Sequence, residues 1–173
     1  SDSSKLSYRT QRGDIEISKI YKLPSSGSLT DYTVRISNRG EVARQVNPSF
    51  GIADQILPEK GGIYANITET WADIDGDIEH YPAEKLDSKP RSHDGSVSWF
   101  GLGERYFLLG LEAELPPPGE VVLRPSTVGE NRYAVELRTV GVTLEPGETR
   151  VYKFKLWTGP RSLDAFQEAE LRM

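Results

Sequence analysis

The segment Val151–Trp157 constrains this chain more than any other. Tyr152, Phe154 and Leu156 alternate with Lys153 and Lys155. That period of two belongs to a half-buried antiparallel strand, with one face apolar and the other wet. Thr158-Gly159-Pro160 should stop it, because Gly159 permits a bend and Pro160 lacks the N–H a ladder needs. Beyond it, Leu163, Phe166, Ala169 and Met173 recur at three- and four-residue steps, the spacing of an apolar stripe on a short helix.

The rest of the chain repeats the strand signal. In Leu29–Ser37, Tyr32, Val34 and Ile36 share one face, while Thr33, Arg35 and Ser37 share the other. Asn38-Arg39-Gly40 follows, and Asn38 and Gly40 both tolerate left-handed backbone. Ile15, Ile17 and Tyr21 give residues 15–37 the form of a hairpin with a turn at Pro24-Ser25-Ser26-Gly27-Ser28. Val42–Phe50 reads as a strand that Pro48 confines to an edge or ends. Ile63–Trp71, Val97–Leu115 (as two strands), Val121–Leu123 and Tyr133–Val140 complete the strands. Residues 1–12 are polar and expected to fray, and 53–62 read as loop. Residues 72–95 hold little apolar content and are expected to form either a long surface loop or a flexible excursion. Pro116-Pro117-Pro118-Gly119 reads as a rigid surface connection.

Roughly nine to twelve short strands without helical crossovers favour a sandwich over a βαβ fold. The 16 glycines and 11 prolines agree with many turns. A length of 173 residues suits one domain with a substantial core. The net charge of −5, spread along the chain, argues against a phosphate-tracking nucleic-acid surface. No apolar run approaches the ~20 residues of a bilayer span, and no signal peptide is visible at the first residues. With no cysteine, disulfides, thiolate metal sites and cysteine nucleophiles are excluded.

Three stretches, Leu156–Pro160 before a short helix, Tyr32–Glu41 and Trp99–Phe107, together resemble the periplasmic domain of the bacterial membrane-protein insertase family YidC/Oxa/Alb. The strand ending in Leu156-Trp157-Thr158-Gly159-Pro160 before a short helix resembles that domain's exit. Tyr32–Glu41 resembles its strand with an Asn-x-Gly turn, and Trp99–Phe107 resembles its W-x-G … Y-F strand pair. The resemblance implies a twisted antiparallel two-sheet β-sandwich, a super-sandwich like galactose mutarotase, with a short C-terminal helix. It implies one periplasmic domain over 1–173, with 159–173 as the helical exit toward a membrane domain. The family's domain in many Gram-negative bacteria is longer, so this chain is either a compact version or lacks early strands.

By the same resemblance, the whole protein would help inner-membrane proteins insert and fold, alone or with the Sec translocon. The expected partners are the membrane core of the same protein, translocon subunits and nascent membrane proteins. This domain would be a scaffold or docking surface, not an enzyme, and would hold no cofactor. Trp157, Leu163, Phe166 and Ala169 are its candidate interaction residues.

Other chemistry has weaker support. Asp73-Ile74-Asp75-Gly76-Asp77-Ile78-Glu79 resembles a calcium loop in its alternate acids. Its glycine stands fourth and its distal glutamate is missing, so a solvated acidic turn is the expectation. Glu79, His80 and His93 are the candidates for mutarotase-like proton transfer, but both histidines fall in the polar region and read as exposed loop residues. A carbohydrate-binding or sugar-active sandwich is therefore the alternative function. Asn66-Ile67-Thr68 matches a glycosylation acceptor by composition alone. Trp71, Trp99 and Trp157 are expected in the core or at its edge.

Overall fold

The computed structural model describes residues 4–55, 68–86, 91–114, 118–125 and 132–168. The expected loop over 56–62, residues 63–67 of the strand candidate, the first two glycosylation-motif residues, Pro116-Pro117, Ala169 and Met173 lie outside them.

Thirteen strands occur in order among the described residues. They are β1 Lys5–Arg12, β2 Ile15–Lys22, β3 Leu29–Asn38, β4 Arg44–Val46, β5 Ser49–Gln55, β6 Glu69–Ile74 and β7 Asp77–Pro82, then β8 Arg91–Gly103, β9 Phe107–Ala113, β10 Pro118–Pro125, β11 Arg132–Thr139, β12 Val142–Leu144 and β13 Thr149–Pro160. Among the described residues the helix α1 spans Leu163–Glu168, and a 3₁₀ turn spans Ala83–Leu86.

Every pairing is antiparallel. The first sheet runs β1-β2-β3-β13-β9-β8-β6-β7, and the second runs β8-β10-β11-β5. The long strand β8 belongs to both. Its residues Arg91–Ser96 pair with β10, and Val97–Gly103 pair with β6. The β6 register slips where Asp73 faces Trp99 and Ile74 faces Val97, leaving Ser98 as the extra residue. Such a bulge bends a strand, which lets β8 leave one sheet and enter the other. The short pair β4–β12 forms a small sheet of its own.

The core lies between the sheets. Tyr32, Val34 and Ile36 of β3 and Phe154 of β13 meet Phe50 and Ile52 of β5 and Val135 and Leu137 of β11. The Phe50 ring stands 4.9 Å from both Tyr152 and Phe154, so one aromatic joins the layers. The antiparallel two-sheet β-sandwich is thus the observed fold.

Several expectations change. Residues 5–12 do not fray: they pair with β2 over its whole length across a turn in which Gly13 takes positive φ. The described residues of 72–95 are not a loop: they hold half of β6, all of β7, the 3₁₀ turn and the start of β8. Ala53–Gln55 continue β5, and Pro118-Gly119 open β10. Neither Asn38 nor Gly40 has a positive φ. Asn38 is fully buried, and its side chain builds the turn instead. Its Nδ2 donates to the carbonyls of Val42 (2.7 Å) and Leu144 (3.0 Å), and its Oδ1 accepts the Gly40 N–H. Gly40 is small for space, since a Cβ there would stand 2.5 Å from Asp14 Cγ. Finally, β13 does not stop at Trp157. Thr158, Gly159 and Pro160 pair with Leu109, Leu108 and Phe107.

Candidate functional site

The outer face of the first sheet carries a second apolar cluster. Trp71 on β6, Gly101 on β8, Gly110 on β9, Trp157 on β13 and Leu29 on β3 stand in one cross-strand row. The adjacent row runs Glu69, Gly103, Leu108 and Gly159. Glycines between large residues leave a trough in which indoles can lie against the sheet. A Cβ on Gly103 would stand 3.3 Å from Trp71 Nε1, and one on Gly159 would stand 2.9 Å from Trp157 Cζ2. On Gly101 it would meet the Leu109 carbonyl oxygen at 2.6 Å. Gly159 serves close packing of this kind, also against Ser28, rather than a bend. Trp99, Leu108 and Trp157 are buried together here, with Leu29, Trp71 and Ala165 of α1 packed on them.

Arg161 fixes where the chain leaves the sheet. Its backbone N–H donates to the Tyr106 carbonyl at 2.8 Å. Its Nη1 donates to Glu69 Oε2 at 3.1 Å and to the Glu104 carbonyl at 3.3 Å. Its guanidinium stands 4.2 Å from the centre of the Trp71 ring, within cation–π range. The His80 ring stacks on the same tryptophan at 4.5 Å, and its Nδ1 lies 3.9 Å from Glu69 Oε1. Ser162 then starts the helix: its Oγ accepts the Ala165 N–H at 3.2 Å, the contact of an N-cap. Asp164 stands in the first turn, where the helix dipole favours an acid.

Two hollows flank this joint. One of about 590 Å³ lies between the β2–β3 connection and α1, against Leu29, Trp157, Pro160 and Ala165. The other, of about 330 Å³, lies beside Leu108, Phe107 and Gly159.

Of the four expected interaction residues, Trp157 is only 4% exposed and sits beneath the joint. Leu163 is 67% exposed and faces away from it. Phe166 lies in α1 but its side chain is not described, and Ala169 lies outside the described residues. Among the described side chains of α1, Ala165 packs on the sheet, a position that the three- and four-residue spacing passes over. Trp71 sits at the edge of a buried cluster, where it is expected, whereas Arg161 and Glu69 escape a sequence reading. The strand expected over Ile63–Trp71 includes Glu69, but nothing local pairs Glu69 with a residue 92 positions away.

The acidic stretch is a hairpin turn. Asp75 and Gly76 both have positive φ, and they join β6 to β7 directly. Asp73 Oδ1 accepts the Gly76 N–H and Asp75 Oδ1 accepts the Ser96 N–H, each at 3.0 Å. Among the described residues no group of three potential ligands could hold a metal ion. The two histidines lie on strands β7 and β8, not in a loop. They do not converge: His80 faces Trp71, while His93 lies 6.0 Å from Tyr81, whose position in β7 points to the opposite face. The Tyr81 hydroxyl donates to Glu79, and burial pushes its pKa up.

A family model described as the YidC periplasmic domain matches residues 1–172. No curated protein sequence matches the chain. Solved structures share its architecture. The galactosidase domain of the alpha-galactosidase-sucrose kinase AgaSK superposes with a TM-score of 0.64 at 13% identity, covering 95% of this chain and 25% of that one. A galactose mutarotase-like protein from Lactobacillus casei gives 0.58 at 13% identity, covering 91% and 70%. One from Clostridium acetobutylicum gives 0.58 at 12% identity, covering 90% and 62%. At these identities the likeness shows the fold alone. This chain spans a quarter of the AgaSK chain.

Proposed function

The chain belongs to the YidC periplasmic domain family, and from that premise we propose that it is the extracytoplasmic, non-catalytic scaffold domain of a membrane-protein insertase. In this reading it is one folded unit that sets the position and direction of the segment leading to the membrane core of the same protein. The Arg161 joint carries the reading. One side chain ties the exit to β6, to the β8–β9 turn and to Trp71, so the following segment leaves at a fixed place. The inserting step belongs to the membrane core, where burial moves apolar helices from water to lipid and needs no cofactor. The Sec translocon and nascent membrane proteins are the further partners of this reading, at an inner membrane with this domain on the periplasmic side.

The test is deletion of residues 4–160 from the whole insertase, with 161–173 left joined to the core. A substrate membrane protein in vesicles should still become protease-protected at much of the intact rate. If the shortened protein integrates stably but inserts nothing, the scaffold reading fails.

One observation favours carbohydrate binding or mutarotase-like chemistry as a second reading. His93 Nε2 is buried without a hydrogen-bond partner among the described residues, near the Tyr81–Glu79 pair. Such groups could grip sugar hydroxyls or move a proton between them. Calorimetric titration with hexoses should then give heat that His93→Ala abolishes; silence across the series dismisses it.

A further inference from the structure

Away from the tryptophans, the outer face of the first sheet turns polar and concave. A hollow of about 580 Å³ there is lined by Lys5, Arg9, Arg35, Arg39 and Glu16, with several serine and threonine hydroxyls between them. The register explains why these groups converge. Arg9, Ser18 and Arg35 stand in one row across β1, β2 and β3. Neighbouring strands lie about 4.8 Å apart, so the two arginines rise from backbone roughly 10 Å apart with only a small serine between them. Two guanidinium forks at that spacing can close on one tetrahedral oxyanion from opposite sides.

The charges in the hollow are unbalanced. Glu16 accepts Arg39 at 2.7 Å and lies 3.7 Å from Arg9. Arg35 is exposed and forms no salt bridge with a described residue. Four cations thus face one carboxylate, in a chain whose net charge is −5. Like charges gathered on one sheet face repel and do nothing for folding. We propose that this hollow binds a phosphate group. Arg9 and Arg35 form the clamp, Lys5 and Arg39 add charge at the rim, and the Ser18 hydroxyl is a neutral donor beneath. The phosphate belongs either to a lipid headgroup at a membrane surface or to a soluble phosphate ester. The assignment rests on this face alone and stands apart from the insertase reading.

Two measurements test it: co-sedimentation with phosphatidylglycerol vesicles, and calorimetric titration with inorganic phosphate and glycerol phosphate. Binding should weaken as salt rises. Arg35→Glu, and more mildly Arg35→Gln, should weaken it by about tenfold or more. Circular dichroism should show both variants folded. Lys85→Glu, a reversal on the 3₁₀ turn, should leave binding unchanged. Binding to vesicles alone assigns the site to a headgroup, and binding to the soluble esters as well assigns it to the phosphate itself; either upholds the site. The proposal is overturned if no phosphate compound binds, if folded Arg35→Glu binds as the parent does, or if Lys85→Glu loses as much as Arg35→Glu.

Discussion

The guanidinium of Arg161 stands 4.2 Å from the centre of the Trp71 ring while its Nη1 donates to Glu69 on the same strand. One cation thus uses two neighbouring outward positions of β6. Arg161→Ala should lower stability by about 1–2 kcal/mol, from the lost cation–π contact and the charge-assisted bond. The Ala165 amide should also exchange faster, because α1 loses its anchor. Hydrogen exchange read at that amide, together with a denaturant melt, checks both effects.

Gly101 is a matter of space. A Cβ there would stand 2.6 Å from the Leu109 carbonyl oxygen and 3.0 Å from Gly110 Cα, so β8 and β9 would have to part. Gly101→Ala should cost about 1–3 kcal/mol. At Gly51 the nearest atom to a new Cβ is 3.6 Å away, ordinary contact. Gly51→Ala should therefore be close to neutral. Thermal melts of the two variants side by side decide whether close packing sets the first value.

Asn38 supplies three hydrogen bonds from a fully buried site. Asn38→Ala would leave the Val42 and Leu144 carbonyls without these donors, at a cost of about 2–3 kcal/mol. Asn38→Asp should cost at least as much, because a carboxylate oxygen would then face a carbonyl. Chemical denaturation compares the pair.

The hydrogen bond from Arg39 holds the Glu16 carboxyl below the usual carboxylate range, against the opposing pull of burial, and the charges of Arg39 and Arg9 reinforce it. A lowered folded value means the contribution is present above the ordinary carboxylate pKa. It is lost as pH falls through the folded value. Glu16→Gln should accordingly give a shallower loss of stability on acidification. Denaturant melts from neutral pH down to about pH 3 would show it.

Which elements the sequence revealed depended on burial. Strands β3 and β13 were legible because one face of each meets the core, so Tyr32, Val34, Ile36 and Phe154 alternate with polar residues. β1 was not, because all eight of its residues are exposed and no alternation is imposed on them. Its order comes from pairing with β2. The β6–β7 hairpin was hidden by its acids, although Asp75-Gly76 is a strong hairpin dipeptide. Its inward residues include Thr70 and Ala72, too small or too polar to stand out as core. At the exit, the strand continues through Gly159 instead of bending there. Gly159 yields space to Ser28 and Trp157, while Arg161 just beyond it does the anchoring. A long-range ion pair leaves no periodic trace in a chain.

Strand β13 sits inside its sheet, bonded to β3 on one side and to β9 on the other, and the chain runs out from its Pro160 end. Tension that reaches Pro160 along the strand's own axis, past the Arg161 joint, meets both ladders at once. Both ladders are loaded in shear, with many bonds strained at once. They are not peeled open one bond after another, as an edge strand drawn sideways would be. The last strand is in this sense a mechanical anchor. A tug from whatever follows is shared across the sheet before any single pairing yields.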